Sequence, residues 1–272
     1  MASEARKLDS IKDVISSAQK ESTAADKMDF YDKWAQNYDT DVAILEYRAP
    51  GLAADSVAAS FTGDRGAALV LDVACGTGLA AIQMKKHGFE HFVGVDGSKG
   101  MLELAKNTGL YEDVRHCMLG DDELPVQWGS FDVVVIVGSL LLGHVPVRVT
   151  KELCKATKPG EDRFIGLLAP PSPYSFQTPP ALKKRVLLEK NLTVHYNLSP
   201  LGGLVCITTR NCQDNAEYTA SLKQQLKLME EEGLWSCVNV TEVKKFQRSV
   251  SEHEEAYVSG SVCLFRVSDV AQ

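Results

Sequence analysis

Two acids and two glycines carry the chemistry that the chain offers most openly. Asp72 lies four residues ahead of Gly76, and Gly78 follows, within Leu69-Val70-Leu71-Asp72-Val73-Ala74-Cys75-Gly76-Thr77-Gly78. A turn built on glycines brings a ligand close to bare backbone, because no Cβ stands in the way, and a helix start behind it presents unpaired N–H groups. Asp96 closes the next apolar run, His91-Phe92-Val93-Gly94-Val95-Asp96, where a carboxylate can take both hydroxyls of a ribose. The bland alternative for Asp96 is a solvated loop acid. A dinucleotide turn wants a third glycine in the first helical turn; Ala81 stands there, which leans against NAD without excluding it. Asp72 beside the turn would repel a pyrophosphate and suits a ligand with an ammonium group. Cys75 reads as a small filler of the turn rather than a nucleophile.

The elements that must position these residues alternate in type. Leu69–Val73 is apolar and β-branched, as a buried strand should be, and Leu79–Lys86 is a helix run stopped by His87-Gly88. His91–Asp96 is a second strand, and Ser98 can cap a helix over Lys99–Asn107. Arg115–Gly120 is expected as a weak third strand. Phe131–Val137 is the strongest, apolar throughout like a central parallel strand. A helix over Val145–Thr157 stops at Lys158-Pro159-Gly160. Later, Gly203–Arg210 reads as a strand, Asn215–Glu232 as a helix, and Trp235–Phe246 with Tyr257–Val267 as a final antiparallel pair. Alternation of this kind signals a doubly wound parallel sheet.

Ahead of it, residues 8–20 place Leu8, Ile11, Ile15 and Ala18 at helical spacing, a short amphipathic helix expected to stand apart from the core. Met28–Asp39 puts Tyr31, Trp34 and Tyr38 on one helix face. That face either packs on the domain or forms a lid over a flat ligand, and the two readings are compatible. Residues 41–61 read as another helix, broken near Ala49-Pro50-Gly51.

Composition narrows the classes. The net charge of −7 argues against a surface that coats nucleic acid. No apolar run reaches transmembrane length, and Met1–Lys7 lacks the apolar core of a signal peptide. The seven cysteines form no Cys-x-x-Cys pair, so reduced thiols in the cytoplasm or nucleus are expected, and no metal site is. The triplets at Asn191, Asn197 and Asn239 are then accidental matches to a glycosylation signal.

Leu-Asp-Val-Ala-Cys-Gly-Thr-Gly, Val-Gly-Val-Asp-Gly-Ser, Met-Leu-Glu-Leu-Ala, Phe-Asp-Val-Val and Lys-Pro-Gly, in this order over residues 69–160, resemble the class I S-adenosylmethionine-dependent methyltransferases. Tyr-Asp-Lys-Trp-Ala-Gln-Asn-Tyr-Asp extends the resemblance toward the N-terminus. Tyr-Arg-Ala-Pro (47–50), Gly-Leu-Tyr (109–111) and Ile-Val-Gly (136–138) resemble a methyltransferase-like branch of that family. The resemblance implies an α/β, Rossmann-like fold: a mostly parallel seven-stranded sheet, helices on both faces and an N-terminal helical lid. Residues 1–61 would form the N-terminal helices and lid, and 62–270 the methyltransferase domain. It also implies roles. Asp72, Ala74, Gly76 and Gly78 would hold the methionine end of S-adenosyl-L-methionine, Asp96 the ribose, and Gly97 and Ser98 the adenine. Leu119-Gly120-Asp121 would flank the adenine amino group. The family's acid four residues before the Leu of Leu-Pro is Gly120 here, so Leu119 backbone atoms take over that role, with Asp121 beside them. Val137 and Gly138 would lie beneath the sulfonium, and Tyr38 would cover the ligand.

Methyl transfer demands mainly an in-line approach, and a base only when the nucleophile carries a proton. His144 is the candidate base; its competing reading is a structural histidine. The fourth strand ends in Val-Gly-Ser-Leu, not in the Pro-Pro motif of enzymes that methylate base amines. The acceptor is therefore expected to be a small molecule or protein rather than nucleic acid, and the protein a monomer away from membranes. An adenosyl-ligand-binding protein acting through a partner is the alternative function, and a nicotinamide-dependent oxidoreductase a third.

One segment breaks the pattern. Lys158-Pro159-Gly160 and Gly203-Leu204-Val205 read as two halves of one joint, and removing Glu161–Gly202 restores Lys-Pro-Gly-Gly-Leu-Val-Cys. The insert would enter at the amino end of the fifth strand, opposite the ligand end of such sheets. It is expected to be non-catalytic, in the manner of retained intron sequence. Arg163–Leu168 is the rival candidate for the fifth strand.

Overall fold

The computed structural model describes residues 11, 14–15, 23–160, 202–250 and 256–269. Seven strands form one sheet: β1 (Leu69–Val73), β2 (His91–Asp96), β3 (Tyr111–His116), β4 (Val133–Ile136), β5 (Leu204–Asn211), β6 (Trp235–Arg248) and β7 (Tyr257–Val267). Their order is β3-β2-β1-β4-β5-β7-β6. The first five run parallel, and β7 lies antiparallel between β5 and β6. The sheet reverses its winding between β1 and β4, and a crevice opens there at the strands' carboxyl ends.

Alternation along the strands divides the core in two. Leu71 and Val73 of β1, Val134 and Ile136 of β4 and Val205 and Ile207 of β5 face α5 (Val149–Ala156) and α6 (Ala216–Glu231). Val70, Val133, Val135, Leu204 and Cys206 face the other way, onto α2 (Ala49–Ser60) and α3 (Leu79–Lys86). Ala53, Ala54 and Val57 of α2 belong to that second core, so this helix is part of the packed body. α4 (Lys99–Asn107) covers the β2–β3 side.

The lid helix, α1 (Ala24–Ile44), is longer than Met28–Asp39. Thr23 starts it: its hydroxyl accepts the Asp26 N–H at 3.1 Å while Asp26 accepts the Thr23 N–H at 3.1 Å, a reciprocal cap. It ends before Glu46, whose φ of 52° is left-handed, and Pro50 opens α2 in its first turn. The expected break at Pro50 is thus present, but residues 41–44 belong to the helix before it. Of the stretch 8–20, Ile11, Val14 and Ile15 are described and helical, and Ile11 and Ile15 are buried against Trp34 and Leu45. At those positions the segment is joined to the lid rather than detached; Leu8 and Ala18 lie outside the described residues.

Other differences have local causes. The third strand is Tyr111–His116, not Arg115–Gly120. An edge strand needs no apolar run, and the apolar Cys117-Met118-Leu119 instead leaves the sheet toward the crevice. The helix expected from Val145 starts at Val149, because Pro146 shapes the preceding loop.

The joint is closed as the sequence suggests. Gly203 N–H donates to the Lys158 carbonyl at 2.8 Å, and Leu204 N–H to Asp132 at 2.9 Å. A Cβ built on Gly202 would lie 2.7 Å from the Gly160 nitrogen. Residues 160 and 202 therefore touch at the amino end of β5, and Leu204–Asn211 is the fifth strand. The rival, Arg163–Leu168, lies outside the described residues.

Candidate active site

At the carboxyl ends of β1, β2 and β4, beneath α1, lies a cavity of about 130 Å³. Its floor is the turn after β1. Ala74, Gly76 and Gly78 all have left-handed φ, of 54°, 55° and 97°. For Ala74 this costs roughly 1–2 kcal/mol. The turn is held in that shape because Cys75 N–H donates to Val95 at 3.0 Å and Gly78 N–H to Cys75 at 2.9 Å. A Cβ at Gly76 would meet nothing within 4 Å, so the glycine serves the backbone conformation and leaves the turn open to the cavity.

Asp96 stands at the end of β2. Its two oxygens accept the Gly76 and Ser98 N–H groups, each at 2.8 Å. Burial pushes its pKa up, and the N–H groups of Ser98, Gly76 and Gly97 oppose that. Each oxygen keeps a lone pair for a further donor, enough for a vicinal diol. Asp72 is placed differently. It is 1% exposed, does not line the cavity, and accepts the Tyr111 hydroxyl at 2.7 Å. Burial pushes its pKa up to about 7. Asp72 thus braces the floor from below. Gly78 is the cap residue of α3 and packs beside the Tyr111 ring. Ser98 caps α4 through Met101 N–H at 3.2 Å.

The lid is fastened at two points. Thr77 donates to Asp39 at 2.6 Å, tying α1 to the glycine turn. Asp32 accepts the Ser98 hydroxyl at 2.5 Å and the Gly100 N–H at 2.8 Å, tying it to α4. Tyr31 and Tyr38 face the cavity, while Trp34 packs against both, stacked on Tyr31 at 6.0 Å and edge-to-face with Tyr38 at 4.9 Å. The aromatic face both packs and covers.

Across from the lid, Val137 and Gly138 end the β4 side. Gly138 N–H donates to Thr208 at 2.9 Å, and a Cβ there would come within 1.9 Å of the Tyr47 hydroxyl. His144 Nδ1 lies 3.2 Å from the Leu142 carbonyl and so carries the proton; Nε2 then accepts from the Tyr31 hydroxyl at 3.0 Å. Burial pushes His144 down to about 4, leaving it neutral at pH 7.

Tyr38, Ala74, Gly76, Asp96, Gly97, Leu119, Asp121, Val137 and His144 all line this one cavity. Asp72, Gly78 and Ser98 do not; they support residues that do. Sequence reasoning passed over Lys27, Met28, Met101 and Met118 as lining residues. Met28 carried a signal, being three residues before Tyr31 on the same helix face. The sulfur atoms of Met28 and Met118 close on Gly97, at 2.6 and 3.3 Å from a Cβ built there.

Residues 70–160 match the family described as a methyltransferase domain. The chain is 40% identical over 211 residues to methyltransferase-like protein 27 of Homo sapiens, covering 78% of this chain and 69% of that protein. The chain belongs to the methyltransferase family. Over a shorter span of 88 residues, 32% of each chain, it is 35% identical to the ribosomal protein L11 methyltransferase of Thermotoga maritima. The fold of this methyltransferase also recurs in a solved SAM-dependent methyltransferase of Thermotoga maritima, described as a possible histamine N-methyltransferase. That likeness has a TM-score of 0.50 at 15% identity and covers 88% of this chain and 98% of that one.

Proposed function

We propose that this methyltransferase uses S-adenosylmethionine as donor and methylates an acceptor other than nucleic acid. The observation that carries the reading is the meeting, in one cavity, of the glycine-turn backbone, the Asp96 carboxylate and the end of β4. Asp96 suits the ribose, Gly97, Met118, Leu119 and Asp121 the adenine, Ala74 and Gly76 the methionine portion, and Val137 with Gly138 the sulfonium. S-adenosylmethionine supplies a methyl group already activated for displacement. The chain's own task is to align the acceptor and exclude water, and positioning of this kind is worth about 7–11 kcal/mol. The lid supplies the exclusion, fastened through Asp32 and Asp39.

His144 acts by position in this reading. With its pKa near 4 it is a weak proton acceptor at neutral pH, but its Nε2 fixes the Tyr31 hydroxyl hydrogen and leaves the Tyr31 oxygen free to accept from a substrate.

Two measurements test the proposal. Calorimetry should find S-adenosylhomocysteine binding tightly and NAD not binding; the reverse pattern overturns it in favour of an oxidoreductase. Labelled S-adenosylmethionine should then pass its methyl group to a component of a cell extract. Tight S-adenosylhomocysteine binding with no transfer would point to an adenosyl-ligand-binding protein that works through a partner.

A further inference from the structure

We propose that a second chamber, on the far side of the lid's tyrosines, holds the methyl acceptor, and that this acceptor is a small carboxylate-bearing molecule whose anionic group pairs with Arg210. The inference deepens the methyl-transfer reading and rests on it. The chamber measures about 80 Å³ against about 130 Å³ for the donor cavity. Tyr31, Tyr38, Gly138 and His144 line both, so a molecule in the second chamber adjoins the place assigned to the reacting methyl group.

Arg210 decides the chemistry. It sits near the end of β5 and lines the second chamber. Its Nε is buried without a hydrogen-bond partner, and among the described residues no carboxylate lines the chamber. Arg210 is half-buried, and a partly desolvated guanidinium whose Nε has no partner gains from a counter-charge that a ligand brings. A bound carboxylate is such a partner, and its two oxygens match the planar fork of a guanidinium.

The charge is felt at the shared wall. Burial pushes Tyr31 up to about 12, and Arg210 opposes that rise. Arg210 likewise opposes the burial-driven rise of Tyr47 and adds to the lowering of His144 that burial begins. Apart from the Gln247 amide, the remaining lining is apolar or aromatic, including Trp34, Val42, Leu45 and Leu141, which suits a compact organic body behind one anionic group. Gly138 lines both chambers, and the wall there has no room for a side chain, since a Cβ would come within 1.9 Å of the Tyr47 hydroxyl.

The test is ligand-observed NMR on the full chain, with and without S-adenosylhomocysteine. The probes are hydroxy- and aminocarboxylates no larger than malate, together with their neutral amides. The carboxylates should bind saturably and the amides at least about tenfold more weakly. Arg210→Met should weaken the carboxylates by at least about tenfold, and Arg210→Lys should recover part of the loss. Calorimetry on Arg210→Met should leave S-adenosylhomocysteine affinity within about twofold, which reports an intact fold and donor cavity. Equal binding of amides and carboxylates, undiminished binding by Arg210→Met, or no binding of any probe to the wild type would each overturn the proposal. Failure of S-adenosylhomocysteine to bind the wild type would instead count against the donor reading, and the titrations without it would still read the chamber.

Discussion

The two chambers on either side of Tyr31 and Tyr38 are built in opposite ways. The donor cavity rests on backbone: a glycine turn, the N–H groups around Asp96, and the short segments that follow β1, β2, β3 and β4. The second chamber rests on side chains drawn from distant places, among them Ile15, Tyr47, Arg210 and Gln247. A backbone site depends on a local pattern of small and turn-forming residues, so it is written in contiguous motifs. A side-chain site is assembled by the fold, and each contributor looks ordinary in its own stretch.

Breaking the donor side should have the largest effect. Asp96→Ala removes a charged acceptor for two hydroxyls, and hydrogen bonds to charged groups are worth about 1.5–3 kcal/mol each. S-adenosylhomocysteine affinity should fall about 100-fold or more by calorimetry. Carboxylate binding in the second chamber should stay nearly unchanged. If both fall together, the two chambers are one site and the contrast fails.

The shared wall comes next. Gly138→Ala places a Cβ within 1.9 Å of the Tyr47 hydroxyl on a residue with φ of 75°. Left-handed strain and overpacking together should cost about 2–4 kcal/mol. The melting temperature should drop by several degrees, and both ligands should bind more weakly.

The chambers also differ in how pH acts on them. Asp72, beneath the donor cavity, has a pKa raised to about 7, so the folded state holds its proton more tightly than the unfolded chain does. That contribution is complete below about pH 4 and is lost as pH rises through 7. His144, on the wall between the chambers, is lowered to about 4. Its contribution is present above about pH 6.5 and is lost as pH falls through 4. Each arm is of the order of 3–4 kcal/mol, with opposite slope over the same window. Urea denaturation between pH 4 and 8 should find that Asp72→Asn removes the falling arm and His144→Gln the rising one.

The smallest effect belongs to the segment between the touching glycines. Deleting residues 161–201, so that Gly160 joins Gly202, should leave S-adenosylhomocysteine affinity within about twofold, because the joint lies at the opposite end of β5 from both chambers. A larger loss would assign the segment to one of the sites.

What could be read from the sequence follows the same division. The turn at Cys75–Gly78, the acid ending β2 and the apolar β4 were legible because each is a continuous run with one reading. Asp72 was legible as an acid inside the strand ahead of the turn, but neither its burial nor its role was. Its neighbour Tyr111 arrives from β3, whose register is hidden by a polar edge strand. Cys117-Met118-Leu119 misled for the converse reason: Cys117 fills the core from a loop, and Met118 and Leu119 line the cavity, so the apolar run does not form a strand. Arg210 was visible only as the last residue of a strand. Nothing in Thr208-Thr209-Arg210 says that its side chain shares a chamber with Tyr31, a contact that only the crossing of lid and sheet creates.

The contact of Gly160 with Gly202 has a kinetic consequence. β5 joins the parallel half of the sheet, β3-β2-β1-β4, to the half that holds β7 and β6, so pairing β4 with β5 is the step that unites them. With residues 161–201 in between, that pairing must close a long loop before its hydrogen bonds form. Each doubling of a loop adds about 0.6 kcal/mol to the entropy of closure, so lengthening a two-residue link to this one adds roughly 2–3 kcal/mol. The native contacts at the seam are the same with either link, so the burden falls on the folding rate and on overall stability rather than on the geometry of the finished site. Over that interval the apolar faces of β4 and β5 wait for each other, and association between chains competes with closure within one.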